Sequence, residues 1–190
     1  MKKISLLALI LAASTIVFAQ NAKFGLKAGV NISNINWKIP NTNFDNRIGF
    51  HVGLLSHIHL SPQWGLQPEV QYSTEGVKQT VASGEYTWKT DYINIPVMLQ
   101  YMFNNGFRLE AGPQLGLMVS NDNNNDVFKS TNVGLGFGLN YLTYSGFGVG
   151  GRYILGLSKI TEPAAAEGKS RNFQLSIFYM LDHNHKAKSR

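Results

Sequence analysis

A long alternation of apolar and other residues between Phe107 and Ser120 constrains the fold of this chain more than any other feature. In FRLEAGPQLGLMVS, every second residue from Phe107 to Val119 is apolar, and the residues between them are mostly glycine or polar. Strands of soluble proteins usually end after about 5–6 residues. A tilted strand that crosses an outer membrane needs about 9–11 residues, with one face toward lipid and a polar face toward the lumen. The segment therefore predicts a membrane-spanning β-strand.

The N-terminus predicts export. Lys2 and Lys3 precede an apolar run, Ile4 to Phe18, that is too short to span a bilayer well, and small residues stand at the −3 and −1 positions of a cleavage site before Gln20. We interpret residues 1–19 as a signal peptide, with an uncleaved N-terminal anchor as the alternative. Residues 20–181 are then an outer-membrane β-barrel domain, and residues 182–190 form a polar C-terminal tail.

Charge and cysteine content exclude several classes of protein. Removing Lys2 and Lys3 lowers the formal net charge from +6 to +4, which is too mild for a nucleic-acid-binding surface. The chain contains no cysteine, so disulfides and thiolate metal sites are excluded. The remaining ~170 residues fit a single domain.

The period-two pattern recurs along the chain and predicts eight strands. They span about Lys23–Asn34, Arg47–Leu60, Trp64–Thr74, Asp91–Phe103, Phe107–Ser120, Asn132–Tyr144, Phe147–Ser158 and Arg171–Leu181. The predicted fold class is all-β, an eight-stranded antiparallel up-and-down transmembrane β-barrel. Its location would be the outer membrane.

Connections of alternating length support this topology. Short turns are predicted at residues 61–63, 104–106 and 143–146, and long polar loops at 36–46, 77–90, 121–130 and 161–170. Outer-membrane barrels have short periplasmic turns and longer outer loops, so both termini would be periplasmic. Aromatic residues near the short turns are typical of a girdle at the membrane interface.

Three prolines conflict with a regular barrel. Pro68, Pro96 and Pro113 fall inside predicted strands, although proline cannot donate to the hydrogen-bond ladder and a closed barrel has no edge strand to hold it. Either bulges occur at these positions or the predicted strands are partly wrong.

Several stretches resemble a known family. FGLKAGVNISNI from Phe24, YINIPVMLQYMF from Tyr92 with LEAGPQLGLMVS after it, and GRYILGLSKI from Gly151 are similar to the PorT-like outer-membrane β-barrel family of small OmpA-like eight-stranded barrels. The resemblance covers nearly the whole mature chain and implies no catalytic motif. It implies a link to protein secretion for one type of member. The polar tail after the last strand departs from the family, whose barrels usually end on an aromatic residue.

Charged residues on the polar faces of the strands form the main candidate site. On the predicted register Lys27, Glu69, Arg108, Glu110 and Arg152 all point inward. An eight-stranded barrel is only wide enough for side chains to fill it, and charges removed from water need partners. We predict a lumenal charge network that plugs the barrel, with a selectivity filter for a small solute as the alternative.

Other motifs carry weaker signals. His51, His57 and His59 share the inward face of one strand, and a pair at spacing two suits a metal, but no further ligand is identifiable. Residues 146–151 match G-x-G-x-x-G, which needs a following helix to bind a dinucleotide, and here a strand follows. An enzyme would need a nucleophile, a base and an orienting acid within reach, and a soluble lipocalin-like barrel would need an apolar interior. We predict no cofactor, no metal and no catalytic site.

The remaining functional signal lies in the predicted outer loops. These carry aromatic residues that loops do not require, namely Trp37, Phe44, Tyr86 and Trp88. Cations near the outer rim suit anionic lipid headgroups, namely Lys78, Lys89, Lys129, Lys169 and Arg171. We predict a non-enzymatic, monomeric envelope protein that contacts outer-membrane lipid and an envelope or secretion partner. The alternative is a porin-like passive transporter of small solutes.

Overall fold

The computed structural model is a closed β-barrel in which every strand pairs antiparallel with its neighbours in the chain. It describes residues 22–37, 43–81, 84–121, 130–158 and 168–181. The strands are β1 (Ala22–Trp37), β2 (Asn43–His59), β3 (Trp64–Val81), β4 (Gly84–Met102), β5 (Phe107–Asn121), β6 (Thr131–Leu142), β7 (Phe147–Gly156) and β8 (Gly168–Met180). Pairing of β1 with β8 from Gly25↔Met180 to Trp37↔Gly168 closes the barrel. The predicted fold class and strand number are confirmed.

The two faces of the barrel wall have opposite chemistry. Large apolar side chains such as Ile48 (73 % exposed) and Leu54 (62 % exposed) cover the outer face, whereas buried polar or charged residues outnumber buried apolar ones inside. This distribution is the reverse of a soluble barrel and excludes the lipocalin-like alternative. Among the described residues, no helix is long and apolar enough to cross a membrane.

Three tight turns join strands at one end of the barrel, which we call the short-turn end. Gly106 and Gly146 adopt φ angles of +92° and +86°, a backbone conformation in which glycine carries no steric penalty. Their amides donate to Phe103 and Thr143 carbonyls at 3.2 Å. β1 begins and β8 ends at the same end, where the Leu181 amide donates to the Phe24 carbonyl at 2.9 Å. The short connections are therefore as predicted.

Aromatic side chains ring the short-turn end on the outer face. The rings of Trp64 and Tyr101 lie 5.1 Å apart, those of Tyr101 and Phe103 5.0 Å apart, and those of Phe107 and Tyr141 5.0 Å apart. Such aromatic contacts along and between strands are typical of an interfacial girdle.

At the opposite end of the barrel, one of the predicted long loops is a paired hairpin instead. The segment from Val77 to Thr90 is a hairpin, paired from Glu75↔Thr90 to Val81↔Gly84, rather than a long loop. Tyr86 and Trp88 therefore lie in β4, and Trp37 and Phe44 lie in β1 and β2. Threonine, valine, tyrosine and tryptophan favour strands, so pairing continues beyond the part of the wall that the membrane requires. The side chains of Trp37, Phe44 and Tyr86 lie outside the described part of the structure.

The prolines occupy gaps in the ladders. Pro68 pairs with Val97, Pro96 with Gln114 and Pro113 with Leu135, each on one side only. The register does not shift at any of them, since the shifts in these ladders lie between Asn46 and His51 and between Asp91 and Tyr92. Neither predicted explanation is correct: the ladder omits pairs on the side of the missing amide, and the strand continues in the same register.

Candidate functional site

Four of the five predicted charged residues meet in the middle of the lumen. They come from alternate strands, Lys27 on β1, Glu69 on β3, Glu110 on β5 and Arg152 on β7, and none is more than 4 % exposed. All four side chains occupy inward positions of their strands, so they meet across the narrow lumen of an eight-stranded barrel. We call this set the charge cluster.

Arg152 lies at the centre of the charge cluster. Its Nη2 donates to Glu69 Oε1 at 2.6 Å and its Nη1 to Glu69 Oε2 at 3.1 Å. Its Nε donates to Glu110 Oε1 at 2.6 Å. The Nζ of Lys27 lies 3.3 Å from Glu69 Oε2. Two cations thus neutralise two carboxylates, with the bidentate geometry that arginine favours.

Amide side chains complete the coordination of the two carboxylates. Gln67 donates to Glu69 Oε1 at 2.8 Å, Gln71 donates to Glu69 Oε2, and Gln100 donates to Glu110 Oε2 at 2.9 Å. Buried ion pairs stabilise a protein only when further hydrogen bonds satisfy the remaining lone pairs. The charge cluster meets this condition, so its charged groups are already engaged with one another and with neighbouring amides.

A glycine on the intervening strand makes room for the charge cluster. Gly138 of β6 pairs with both Glu110 and Arg152. A Cβ there would lie 2.7 Å from Glu110 Oε1, closer than such atoms approach. A larger residue at this position would displace the carboxylate that Arg152 binds.

Arg108 does not join the charge cluster. It is buried at 3 % exposure, closer to the short-turn end, where it pairs with Met102 and Asn140. Among the described residues, its Nη1 has no hydrogen-bond partner. Glu110 accepts a hydrogen bond from Arg152, so the structure brings four of the five predicted charged residues together and places Arg108 apart from them.

A second polar group lies between the charge cluster and the end of the barrel opposite the short turns. The buried Glu75 carboxylate accepts hydrogen bonds from Ser73 at 3.0 Å and Asn94 at 2.9 Å. Sequence reasoning missed Glu75 because it ended the third strand at Thr74. The signal was present, since Gln71, Ser73 and Glu75 continue the polar alternation.

The lumen is apolar at the short-turn end, which the sequence reasoning also missed. Leu55, Leu142, Phe178 and Met180 form a buried cluster inside the barrel. Leu55 and Phe178 occupy positions of their strands that point into the lumen. The sequence interpretation overlooked them because it looked for polar residues at those positions. The lumen is therefore charged in the middle and closed by hydrocarbon at this end.

The three histidines of β2 contact other side chains of the lumen. His51 Nδ1 lies 2.7 Å from Asn31 Oδ1 and its Nε2 lies 2.9 Å from Ser176 Oγ, while the rings of His57 and His59 pack edge to face at 4.6 Å. Within the described ranges, no three histidine or carboxylate side chains are placed to share a metal ion.

The serine, histidine and amide around His51 follow the order of a catalytic relay. Ser176 is only 7 % exposed, however, and lies on the inner face of β8, so its hydroxyl has little surface to offer a substrate. The G-x-G-x-x-G segment forms a turn at Gly146 and then enters β7. It has no helix N-terminus of the kind that holds a phosphate.

Comparison with known proteins decides the family. The profile of the family described as outer membrane protein β-barrel domain matches residues 18–162. The chain belongs to this family. Its members are small barrels, typically non-enzymatic, and the predicted location in the outer membrane is confirmed. Outer-membrane barrels have short periplasmic turns and longer outer connections, so we call the short-turn end the periplasmic end and the opposite end the outer end.

Solved barrels share the fold. Neisserial surface protein A is 17 % identical, with a TM-score of 0.54, and the match covers 83 % of this chain and 97 % of that one. Ail of Yersinia pestis is 14 % identical, with a TM-score of 0.52, and the match covers 85 % and 99 %. At these identities the likeness shows the fold alone. No curated protein matches the chain.

Proposed function

We propose that this outer-membrane barrel is a non-enzymatic, monomeric envelope protein with a plugged lumen that acts through its outer end by binding a protein partner. The observation that carries the proposal is the hairpin formed by β3 and β4 beyond the level at which β5 ends. Surface lipid is the second contact of this end, through the exposed cations near the rim.

The hairpin extends further from the barrel than the described pairing of β4 with β5. β4 pairs with β5 as far as Thr90↔Asn121, whereas its pairing with β3 continues to Val81↔Gly84. Two paired strands that project from a barrel form an extended backbone surface, and an extended segment of another chain can bind a sheet by adding as a new strand.

The composition of the hairpin suits protein contact. Trp88 is half-buried and pairs with Val77, and Tyr86 pairs with Gln79. Tryptophan and tyrosine are enriched at the residues that dominate binding energy in protein interfaces. Lys89 lies 3.9 Å from Asp91 at the base of the hairpin, so charge is present at the rim of the candidate surface.

The lumen supports binding rather than transport. A solute entering from outside would meet the charge cluster, in which every carboxylate is already paired, and then the apolar cluster around Phe178. The passive-porin alternative requires a continuous polar path, so it is the less favoured function. The resemblance to PorT-like barrels suggests more narrowly that the partner belongs to a secretion system.

Crosslinking in intact cells tests partner binding. A photoreactive amino acid at Trp88 should capture one discrete protein, whereas the same group at Tyr144, which is 77 % exposed at the periplasmic end, should not capture that protein. Capture of bulk lipid alone at Trp88, together with normal secretion and a solute-uptake defect in a deletion strain, would favour the porin.

Planar-bilayer recording tests the plug separately. Purified barrel should give no large, stable single-channel currents. Replacing the four charged side chains of the cluster and the apolar closure together, in Lys27→Ala/Glu69→Ala/Glu110→Ala/Arg152→Ala/Phe178→Ala, should raise conductance, because these side chains fill the lumen. Large, stable currents from the unaltered protein would reject the plugged lumen.

A further inference from the structure

A groove of about 620 Å³ opens on the membrane-facing side of the barrel wall. It extends across β1, β8, β7 and β6 and reaches Phe107 at the periplasmic end. Its floor lies where Ala28 and Gly151 replace the large apolar residues found elsewhere on the outer face. The walls are formed by Leu139, Val149, Leu175 and Ile177.

The strand registers explain why the groove is continuous. Ala28 pairs with Ile177, which also pairs with Val149, and these residues form one row across the wall. In the next row, Gly151 pairs with both Leu139 and Leu175. Paired residues lie on the same face of a sheet, so Gly151 leaves a gap between two leucines that face the membrane.

The protein itself does not require glycine at position 151. Gly148 and Gly150 of the same strand point into the lumen, where a Cβ would collide with Phe178 and Asn140. At Gly151 the nearest atom to an added Cβ would be Phe173 Cζ at 3.7 Å, an ordinary contact, and the φ angle is not positive. Glycine weakens a strand, and no contact within the protein requires it at position 151. We therefore infer that the space next to Gly151 is filled by another molecule.

The position of the groove identifies the occupant. The flanking side chains, such as Ile177 at 53 % exposure, lie on the apolar outer face, which faces the lipid hydrocarbon in a membrane. One end reaches Phe107 and Tyr141, whose rings form part of the periplasmic girdle. The volume equals that of roughly 20 water molecules in the liquid, enough for one lipid acyl chain.

We propose that the groove is a binding site for one fatty acyl chain of a phospholipid in the periplasmic leaflet. Lipid tails gain nothing by leaving other hydrocarbon, so the affinity comes from dispersion contacts with a preformed concave surface. The lining is almost entirely apolar, and the site therefore selects the chain rather than the headgroup. It is independent of the function proposed for the outer hairpin.

Filling the groove tests the site. Gly151→Leu places a side chain in the gap, and Ala28→Leu fills the floor from β1 as a second variant in case the first does not fold. Ala111→Leu is the matched control, because Ala111 is exposed on the outer face of β5 and does not line the groove. Heat-modifiable electrophoretic mobility establishes that each variant is folded.

Native mass spectrometry supplies the measurement. The barrel is equilibrated with vesicles of palmitoyl-oleoyl phosphatidylethanolamine and phosphatidylglycerol and then extracted in mild detergent. The unaltered protein and Ala111→Leu should retain one phospholipid, and Gly151→Leu or Ala28→Leu should reduce that population at least tenfold. Equal retention in all proteins, or none in the unaltered barrel, would overturn the proposal. A dimer that only groove-filling variants abolish would instead identify a second barrel as the occupant.

Discussion

At the scale of single residues, Arg152 determines the organisation of the lumen. Its guanidinium binds both carboxylates of the charge cluster, and the contacts to Glu69 join residues 83 positions apart in the chain. Lysine would not reproduce this arrangement, since an ammonium lacks the planar fork that binds two carboxylates in fixed directions. Glu69 and Glu110 share this one side chain, so losing it affects both.

Replacing Arg152 should therefore be costly. We expect Arg152→Met to lower the free energy of unfolding by about 3–5 kcal/mol, because it leaves buried carboxylates without their cation. Urea unfolding in lipid vesicles, followed by tryptophan fluorescence, measures the change. Arg171→Met is the control, since Arg171 is exposed on β8, and it should change the stability by less than about 0.5 kcal/mol. A similar small effect for both variants would contradict the role assigned to Arg152.

At the scale of secondary-structure elements, the β3–β4 hairpin differs from the rest of the wall. It continues past the last described pair of β4 with β5, while its β3 arm stays paired with β2 from Asn46↔Val77 to Asn43↔Thr80. The outermost part of such a hairpin contributes less to global stability than the closed wall beneath it. We therefore expect that the hairpin can be shortened while the closed wall is kept.

Shortening the hairpin should separate binding from folding. Lys78 and Thr87 are paired, so replacing residues 79–86 by Asn-Gly should close a two-residue turn between them. We expect unchanged heat-modifiable mobility and loss of protein capture by a photoreactive group at position 88. Replacing only residues 82–83 by Asn-Gly keeps both strands, and this control should retain capture. If the shortened protein still captures the partner, the removed part of the hairpin is not the binding surface.

Alternation along the sequence was sufficient to predict the strands and their faces. It failed at strand ends, because Val77–Thr90 contains polar strand formers whose pairing depends on the partner strand rather than on burial. It also missed Leu55 and Phe178, since apolar residues on an inward phase were not expected. The signal peptide and the tail at residues 182–190 lie outside the described residues and stay predictions.

The candidate site was less predictable than the fold. The alternation of the sequence predicted which side chains point into the lumen. Which of these side chains pair with one another depends on how the strands are staggered around the barrel. That stagger brings Glu110 to Arg152 rather than to Arg108, and no local pattern contains it. Gly151 is a similar case, because only the three-dimensional wall distinguishes an open glycine from its crowded neighbours.

At the scale of the whole molecule, the two ends of the barrel differ in height and chemistry. Short turns and an apolar lumen occupy the periplasmic end, whereas paired strands extend from the other end. This asymmetry separates a short-turn end with an apolar lumen from an end at which paired strands project, and the proposed partner would bind at the projecting end.

Cysteine labelling tests the orientation. The chain contains no cysteine, so Thr87→Cys and Ser145→Cys each introduce a single thiol at an exposed site at opposite ends. A bulky maleimide that cannot cross the outer membrane should label Thr87→Cys in intact cells. It should label Ser145→Cys only after the membrane is disrupted. The reverse pattern would invert the topology.

The placement of the charge cluster on β1, β3, β5 and β7 has a consequence for biogenesis. Each odd-numbered strand contributes one member, so a wall that lacks any one of these strands lacks part of the ion-pair set. Without β7, the carboxylates of Glu69 and Glu110 lose their shared guanidinium, and buried charges without partners are costly. We therefore expect the lumen to reach its electrostatic balance only when all four strands are in the wall, which disfavours incomplete barrels.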